Sequence, residues 1–148
     1  MYTVEEFDKE KTKVLKYVLY KKRNENEIRK KFEREIEENL LEDIIAYLKE
    51  ANYIDDKEYI RKTIHNFMAL KNLSIREIEY KLYSKGIKKE DIEDYIYENK
   101  EELNQYEIKS ASNIVNKKVT SLEPEEIKQY LMKKGYQKEN ITIALEDI

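Results

Sequence analysis

Apolar residues recur along most of this chain at intervals of three and four, the period that lines one face of an α-helix. Ile60, Ile64, Phe67 and Met68 make one such stripe. Ile78 and Leu82 make a second, Ile92, Tyr95 and Ile96 a third, and Ile127 and Leu131 a fourth. Polar residues punctuate them in the manner of helix caps. Ser74-Ile75-Arg76-Glu77 predicts a capping box, in which the Ser74 hydroxyl accepts from the Glu77 amide and Glu77 reaches back. Leu73 and Ile78 stand at the two positions of a hydrophobic staple. The helix so opened is expected to stop at Gly86, because a glycine just past a helix end adopts a left-handed conformation that costs other residues about 1 kcal/mol or more. Ile87 and Ile92 then staple the next helix.

The same grammar returns 49 residues later. Leu122 and Ile127 form the staple, Pro124 takes the first helical position and Glu126 the third, Gly135 ends the helix, and Tyr136 with Ile141 opens the last one. Gly86 and Gly135 are the chain's only glycines. A more divergent copy lies upstream. Asn24 is placed to cap a helix whose Glu27-Ile28 aligns with Glu77-Ile78 and Glu126-Ile127, and Phe32 matches Leu82 and Leu131. There Ile36 takes the glycine's place, and the stretch runs two residues longer before Leu40 and Ile44 start the following helix. Each copy is preceded by a longer helix. The first covers roughly 4 to 21, behind the box Thr3-x-x-Glu6. The second covers about 56 to 71, opened by Asp55 with Glu58 and stapled by Ile54 and Tyr59; the third covers roughly 101 to 119. The pattern predicts an all-α chain of three tandem three-helix units, 1–54, 55–100 and 101–148, in an elongated array able to curve.

Composition agrees. Of 148 residues 41% are charged and 40% hydrophobic, with two glycines and one proline, which suits helices and starves β-turns. The chain is too apolar and too periodic to read as disordered. The absence of cysteine excludes disulfides and thiolate chemistry. No apolar run approaches the ~20 residues of a membrane span, and MYTVEEFDKEK lacks the apolar stretch of a signal peptide. A cytoplasmic protein with no membrane partner is expected.

The stretch LKEANYIDDKEYIRKTI, followed by LKNLSIREIEYKLYSKGIKKEDI, resembles the RecX family of recombination regulators. The resemblance rests on YIDD at residues 53 to 56, the aromatic Tyr59, and the segment from Glu77 to Ile87 that ends in Lys85-Gly86-Ile87. Three three-helix units are also that family's architecture. Asn72 stands where the family commonly has glycine; asparagine is the next best left-handed residue, so a left-handed turn is expected there. Of the basic residues that often precede that glycine, Lys71 alone remains. The resemblance implies a non-enzymatic role in DNA repair and the SOS response. Such a protein would bind the RecA recombinase, as a filament on single-stranded DNA, and restrain its ATPase, strand-exchange and co-protease activities. A modular molecule suits that task, because partial contacts along one chain sum without any deep pocket.

The residues themselves argue against catalysis. One histidine, His65, allows no His-His metal site, and beside its helix's core stripe it reads as an exposed or edge residue without a role. No glycine-rich loop offers a phosphate cradle, so no cofactor or metal is expected. Asp55-Asp56 is explained by capping and by the positive end of a helix dipole. Tyr17, Tyr47, Tyr59, Tyr95 and Tyr130 fall at apolar spacing and read as core or rim residues rather than base-stacking platforms.

Charge is unevenly spread behind a net −3. Residues 9 to 34 hold 11 Lys/Arg against 4 Asp/Glu, and residues 35 to 58 hold 2 against 9. Lys21, Lys22, Arg23, Arg29, Lys30 and Lys31 could therefore meet DNA phosphates or an acidic partner, or simply neutralise the acidic helix that follows. The best-matched motif lies in the middle unit, so partner contacts are first expected at its polar positions Arg61, Lys62, Arg76, Lys81, Lys85 and Lys89, with the basic set of the first unit next. The rival reading is a helix-turn-helix-like DNA-binding protein. An acidic chain, with no dense Arg/Asn/Gln face on a candidate recognition helix, weighs against it. A monomer with weak binding to free DNA is the expectation.

Overall fold

The computed structural model describes residues 1–146. Among them it contains nine helices and no strand: α1 (Val4–Tyr20), α2 (Glu25–Phe32), α3 (Glu38–Glu50), α4 (Asp56–Leu70), α5 (Ile75–Ser84), α6 (Lys89–Glu98), α7 (Lys100–Lys118), α8 (Pro124–Lys133) and α9 (Lys138–Glu146). The three long helices α1, α4 and α7 fall within one or two residues of the ranges expected from the sequence.

The caps explain why the helices start where they do. Asn24 Oδ1 accepts from the Glu27 amide at 2.9 Å and Glu27 Oε1 accepts from the Asn24 amide at 3.0 Å. Ser74 and Glu77 repeat this reciprocal pair, at 3.0 Å in each direction. Thr3 accepts from Glu6 at 3.0 Å and Asp55 from Glu58 at 3.2 Å. Each such cap stabilises its helix by about 1 kcal/mol. Pro124 occupies the first position of α8, where its missing N–H costs nothing. Gly86 and Gly135 follow α5 and α8 with φ of +86° and +92°, the left-handed turns that their places predict.

Inter-residue contacts divide the chain into two compact units. The first comprises Met1–Tyr59 with Lys85–Ile87, the second Ile60–Ser84 with the residues from Lys88 onward. In the first, α1, α2 and α3 enclose Val14, Ile28, Phe32, Ile44, Ile45 and Leu48, flanked by Phe7 and Tyr17. Ile28, Ile44 and Leu48 are wholly inaccessible, so truncating one to alanine should cost about 2–5 kcal/mol. In the second, α7, α8 and α9 enclose Ala111, Val115, Ile127, Leu131, Tyr136 and Ile141. Ile64 of α4, Ile78 and Leu82 of α5 and Leu103 of α7 are fully buried as well.

Three local expectations are corrected. Asn72 is not left-handed: besides the two glycines, Asn52 alone among the described residues has a positive φ, at 64°. The segment before Ser74 is shaped instead by Tyr106, whose hydroxyl donates to the Lys71 carbonyl at 2.7 Å and accepts from the Leu73 amide at 2.9 Å. The Asn72 side chain accepts from Asn113 Nδ2 at 3.0 Å. Secondly, Ile96, Phe67 and Met68 are half-buried rather than core residues, and Tyr95 is likewise half-buried, at the rim. Thirdly, Lys81, expected on an exposed face, is half-buried. Where Ile36 replaces glycine, the chain leaves α2 by right-handed turns, and Ile36 is buried in the first unit's core.

Candidate interaction surfaces

Within each unit one arrangement recurs, and it uses the residues around the capping boxes. In the first unit Asn24 Nδ2 donates to the Lys85 carbonyl at 3.1 Å, and the next amide, of Glu25, donates to Asp56 Oδ1 at 3.0 Å. In the second, Ser74 Oγ donates to the Lys134 carbonyl at 2.7 Å, and the Ile75 amide donates to Glu107 Oε2 at 2.7 Å. Each cap residue thus closes its own helix through an acceptor and clasps a glycine turn through a donor. The acidic residue that completes the clasp comes from a long helix, α4 or α7. Asp56 therefore does more than complement the dipole of its own helix.

Glu107 is the most demanding of these groups, being wholly buried. Its Oε1 accepts from the Gln137 amide at 2.9 Å, from Gln137 Nε2 at 3.2 Å and from Asn140 Nδ2 at 2.8 Å, beside the bond from Ile75 to Oε2. Four donors converge on an all-acceptor group, so the buried carboxylate is fully satisfied. Sequence reasoning passed over it, although Leu103, Tyr106, Glu107, Ser110 and Ala111 share one helical stripe and an acidic residue there is the visible signal.

The second unit presents a hollow of about 560 Å³ whose floor includes Ile75, Leu103 and Tyr136, with Arg76, Glu79, Tyr97 and Lys100 at its edges. Burial lifts the Glu79 carboxyl above the usual carboxylate range, and neighbouring Arg76 partly offsets it. A shallower hollow of about 390 Å³ on the other side of Arg76 is lined by Tyr80, Tyr83, Lys89, Ile92 and Glu93. Tyr80, Tyr83 and Tyr97 are 72%, 62% and 80% exposed, which makes this the most aromatic surface of the unit. Around His65, whose Nε2 stands 3.5 Å from Glu102, lies another open hollow with Met68 and Lys109.

The residues expected to meet a partner are distributed as follows. Arg76 and Lys89 share the tyrosine-lined hollow, where Lys89 pairs with Glu93 at 3.7 Å. Arg61 and Lys62 are exposed on α4. Lys85 belongs to the first unit, with its side chain exposed and its carbonyl in the clasp. In the basic set, Arg29 is taken up inside the unit by Glu25, at 2.9 Å, and by Glu42. Glu42 and Glu25 hold the Arg29 guanidinium charged; the bond from Arg29 holds Glu42 below its ordinary carboxylate range. Arg23 stacks over Tyr17 at 3.9 Å and gives Nε to the Tyr17 carbonyl at 3.4 Å. Lys31 lies 5.9 Å from the same ring. Lys21, Lys22 and Lys30 are exposed and make no ion pair among the described residues, and Tyr20, which precedes Lys21 in the chain, is 83% exposed. Intramolecular neutralisation thus accounts for Arg29, and leaves those three lysines open.

Among the described residues no cluster of three His, Asp or Glu could hold a metal, and no helix is long and apolar enough to cross a membrane.

No family model matches the sequence. The chain is 28% identical over 156 residues to the regulatory protein RecX of Staphylococcus epidermidis, covering all of this chain and 58% of that protein. To the regulatory protein RecX of Finegoldia magna it is 35% identical over 137 residues, covering 82% of this chain and 63% of that one. It therefore spans little more than half the length of these curated relatives. The crystal structure of RecX from Lactobacillus salivarius superposes with a TM-score of 0.83 at 21% identity, over 98% of this chain and 97% of that one. A second crystal structure, of a regulatory protein RecX, gives 0.78 at 22% identity, over 96% and 73%. With like sequences along its whole length and the same all-α fold in both crystal structures, the chain belongs to the RecX family.

Proposed function

We propose that this chain is a non-enzymatic regulator, built as three tandem three-helix units, that binds a RecA-type recombinase on single-stranded DNA and restrains it. The carrying observation is the similarity to proteins named regulatory protein RecX, which runs from one end of the chain to the other. The surface agrees in kind. The two hollows beside Arg76 are open, and among the described residues that line them no nucleophile, base and oxyanion donor converge. What the second unit offers is an exposed set of tyrosines interleaved with Arg76, Lys89 and Lys100, the residue types that anchor protein interfaces. In this reading the protein acts in the cytoplasm as a monomer, in recombinational repair and the SOS response, and contacts several recombinase subunits by spreading partial contacts along its units.

ATP hydrolysis by the cognate RecA on single-stranded DNA, titrated with this protein at constant salt, tests the proposal. Suppression below one protein per recombinase subunit supports a filament regulator; unchanged hydrolysis at saturation sinks it. Direct DNA binding is the second reading, favoured by the exposed Lys21, Lys22 and Lys30 and by exposed Tyr20. It would show as salt-sensitive binding of bare DNA with no effect on hydrolysis.

A further inference from the structure

The bonds that clasp one triad of helices to the next form twice, and at the third opportunity the residues that would form them are different. Asn24 and Ser74 are wholly buried and each donates to a carbonyl, while the amides of Glu25 and Ile75 donate to carboxylates. At α8 the matching residues are Glu123 and Pro124. A carboxylate has only acceptors to turn toward an incoming carbonyl, and proline has no N–H to give a carboxylate. Both of the clasp's donors are missing, and Glu123 is exposed. The helix itself loses nothing: Pro124 is preorganised for its first turn, and Glu126 accepts from the Glu123 amide at 3.0 Å. The matching turn of the first triad is altered as well. It has no glycine, and Ile36 is buried in the core beneath it.

We infer that the N-terminal end of α8 is closed to stacking: a further three-helix unit, whether a continuation of the chain or a second copy, cannot be joined there by the bonds that join the others. The inference rests on the tandem-unit reading given above, but not on the recombinase. Its test reads the clasp alone, so the two can fail separately.

Asn24→Asp imitates the donor loss at Glu123 with almost no change in shape. Aspartate still caps α2, so the Glu27 amide should keep its protection in hydrogen exchange. The Glu25 amide, held by Asp56, should exchange at least tenfold faster as the clasp opens. Asn24→Ser, which keeps donor and acceptor as at Ser74, should exchange as the native chain does. Ile75→Pro imitates Pro124 and should speed exchange of the Gln137 amide, held by Glu107, at least tenfold with helicity unchanged. Native protection in Asn24→Asp or Ile75→Pro, or its loss in Asn24→Ser, would overturn the inference. So would self-association of the native chain in sedimentation that Glu125→Arg abolishes.

Discussion

Arg76 occupies the space that a side chain on Gly135 would need: a β-carbon there would lie 2.9 Å from both Cβ and Cδ of Arg76. Gly86 stands in the same relation to Asn26, whose Cβ would be 2.9 Å away. Asn26 and Arg76 each follow a clasping cap by two residues. Both glycines are therefore needed twice over, for a left-handed φ and for the approach of another helix.

The two requirements can be separated. Asparagine tolerates the left-handed region but carries a β-carbon. Gly135→Asn should thus cost about 1 kcal/mol or more through crowding alone, in the range of other overpacked sites. Gly135→Ala and Gly86→Val should cost about 2 kcal/mol or more, strain and crowding together. Urea unfolding measures each. A Gly135→Asn chain as stable as the native one would mean that the close approach is relieved by a small shift of Arg76.

Much of this architecture was legible because its signals are local. Capping boxes, staples and glycine turns are set by neighbours within five or six residues, and the long helices came out within two residues of their expected ends. What was not legible depends on contacts distant in sequence. Nothing near Gly135 announces Arg76. Nothing around Asn72 says that a tyrosine on α7 will pin the adjoining carbonyl and amide and remove the need for a left-handed residue. Charge was legible as a surplus, but its partition was not: only the folded chain pairs Arg29 with Glu25 and Glu42 and leaves Lys21, Lys22 and Lys30 without an ion pair among the described residues.

Glu107 should be among the most costly polar residues to remove. Glu107→Ala would strand the Ile75 and Gln137 amides and the Asn140 side chain around a cavity, for an expected loss of about 3–5 kcal/mol. Glu107→Gln, which keeps the shape but turns one acceptor into a donor facing donors, should cost about 2 kcal/mol. Chemical denaturation checks both. A glutamine variant of native stability would show that one oxygen can serve all four donors.

Alkaline pH should unfold the second unit through its tyrosines. Burial raises the hydroxyl of Tyr136, partly offset by its bond with Ser110, and burial likewise raises Tyr106. A raised acid keeps its proton in the folded chain while the unfolded chain releases it from about pH 10. The folded state then binds more protons, so stability is fully present below pH 10 and falls above it, by roughly 1.4 kcal/mol per pH unit for each such tyrosine. Tyr136→Phe should reduce that slope even though it forfeits the Ser110 bond. An unchanged slope in stability measured between pH 9 and 11 would refute the assignment.

The basic face of the first unit should divide into residues that hold the fold and residues that meet a partner. Burial raises Glu25, but bonds from Lys49 and Arg29 more than offset it and bring its carboxyl below the ordinary value. A lowered acid stabilises the fold above its unfolded pKa, about 4.3, and that contribution disappears as pH falls through the folded value. Arg29→Ala should accordingly lower stability at pH 7 by up to about 1 kcal/mol, with less effect at pH 3, since the pair is half-exposed. It should leave partner binding nearly intact. The double reversal Lys21→Glu with Lys22→Glu should do the opposite, leaving the melting temperature within about a degree while weakening binding to recombinase filaments at low salt, because these exposed lysines make no ion pair among the described residues. Thermal melts and filament co-sedimentation read the two effects separately. If Arg29→Ala weakens filament binding as much as the lysine reversals do, the division fails, and the whole basic face belongs to the partner.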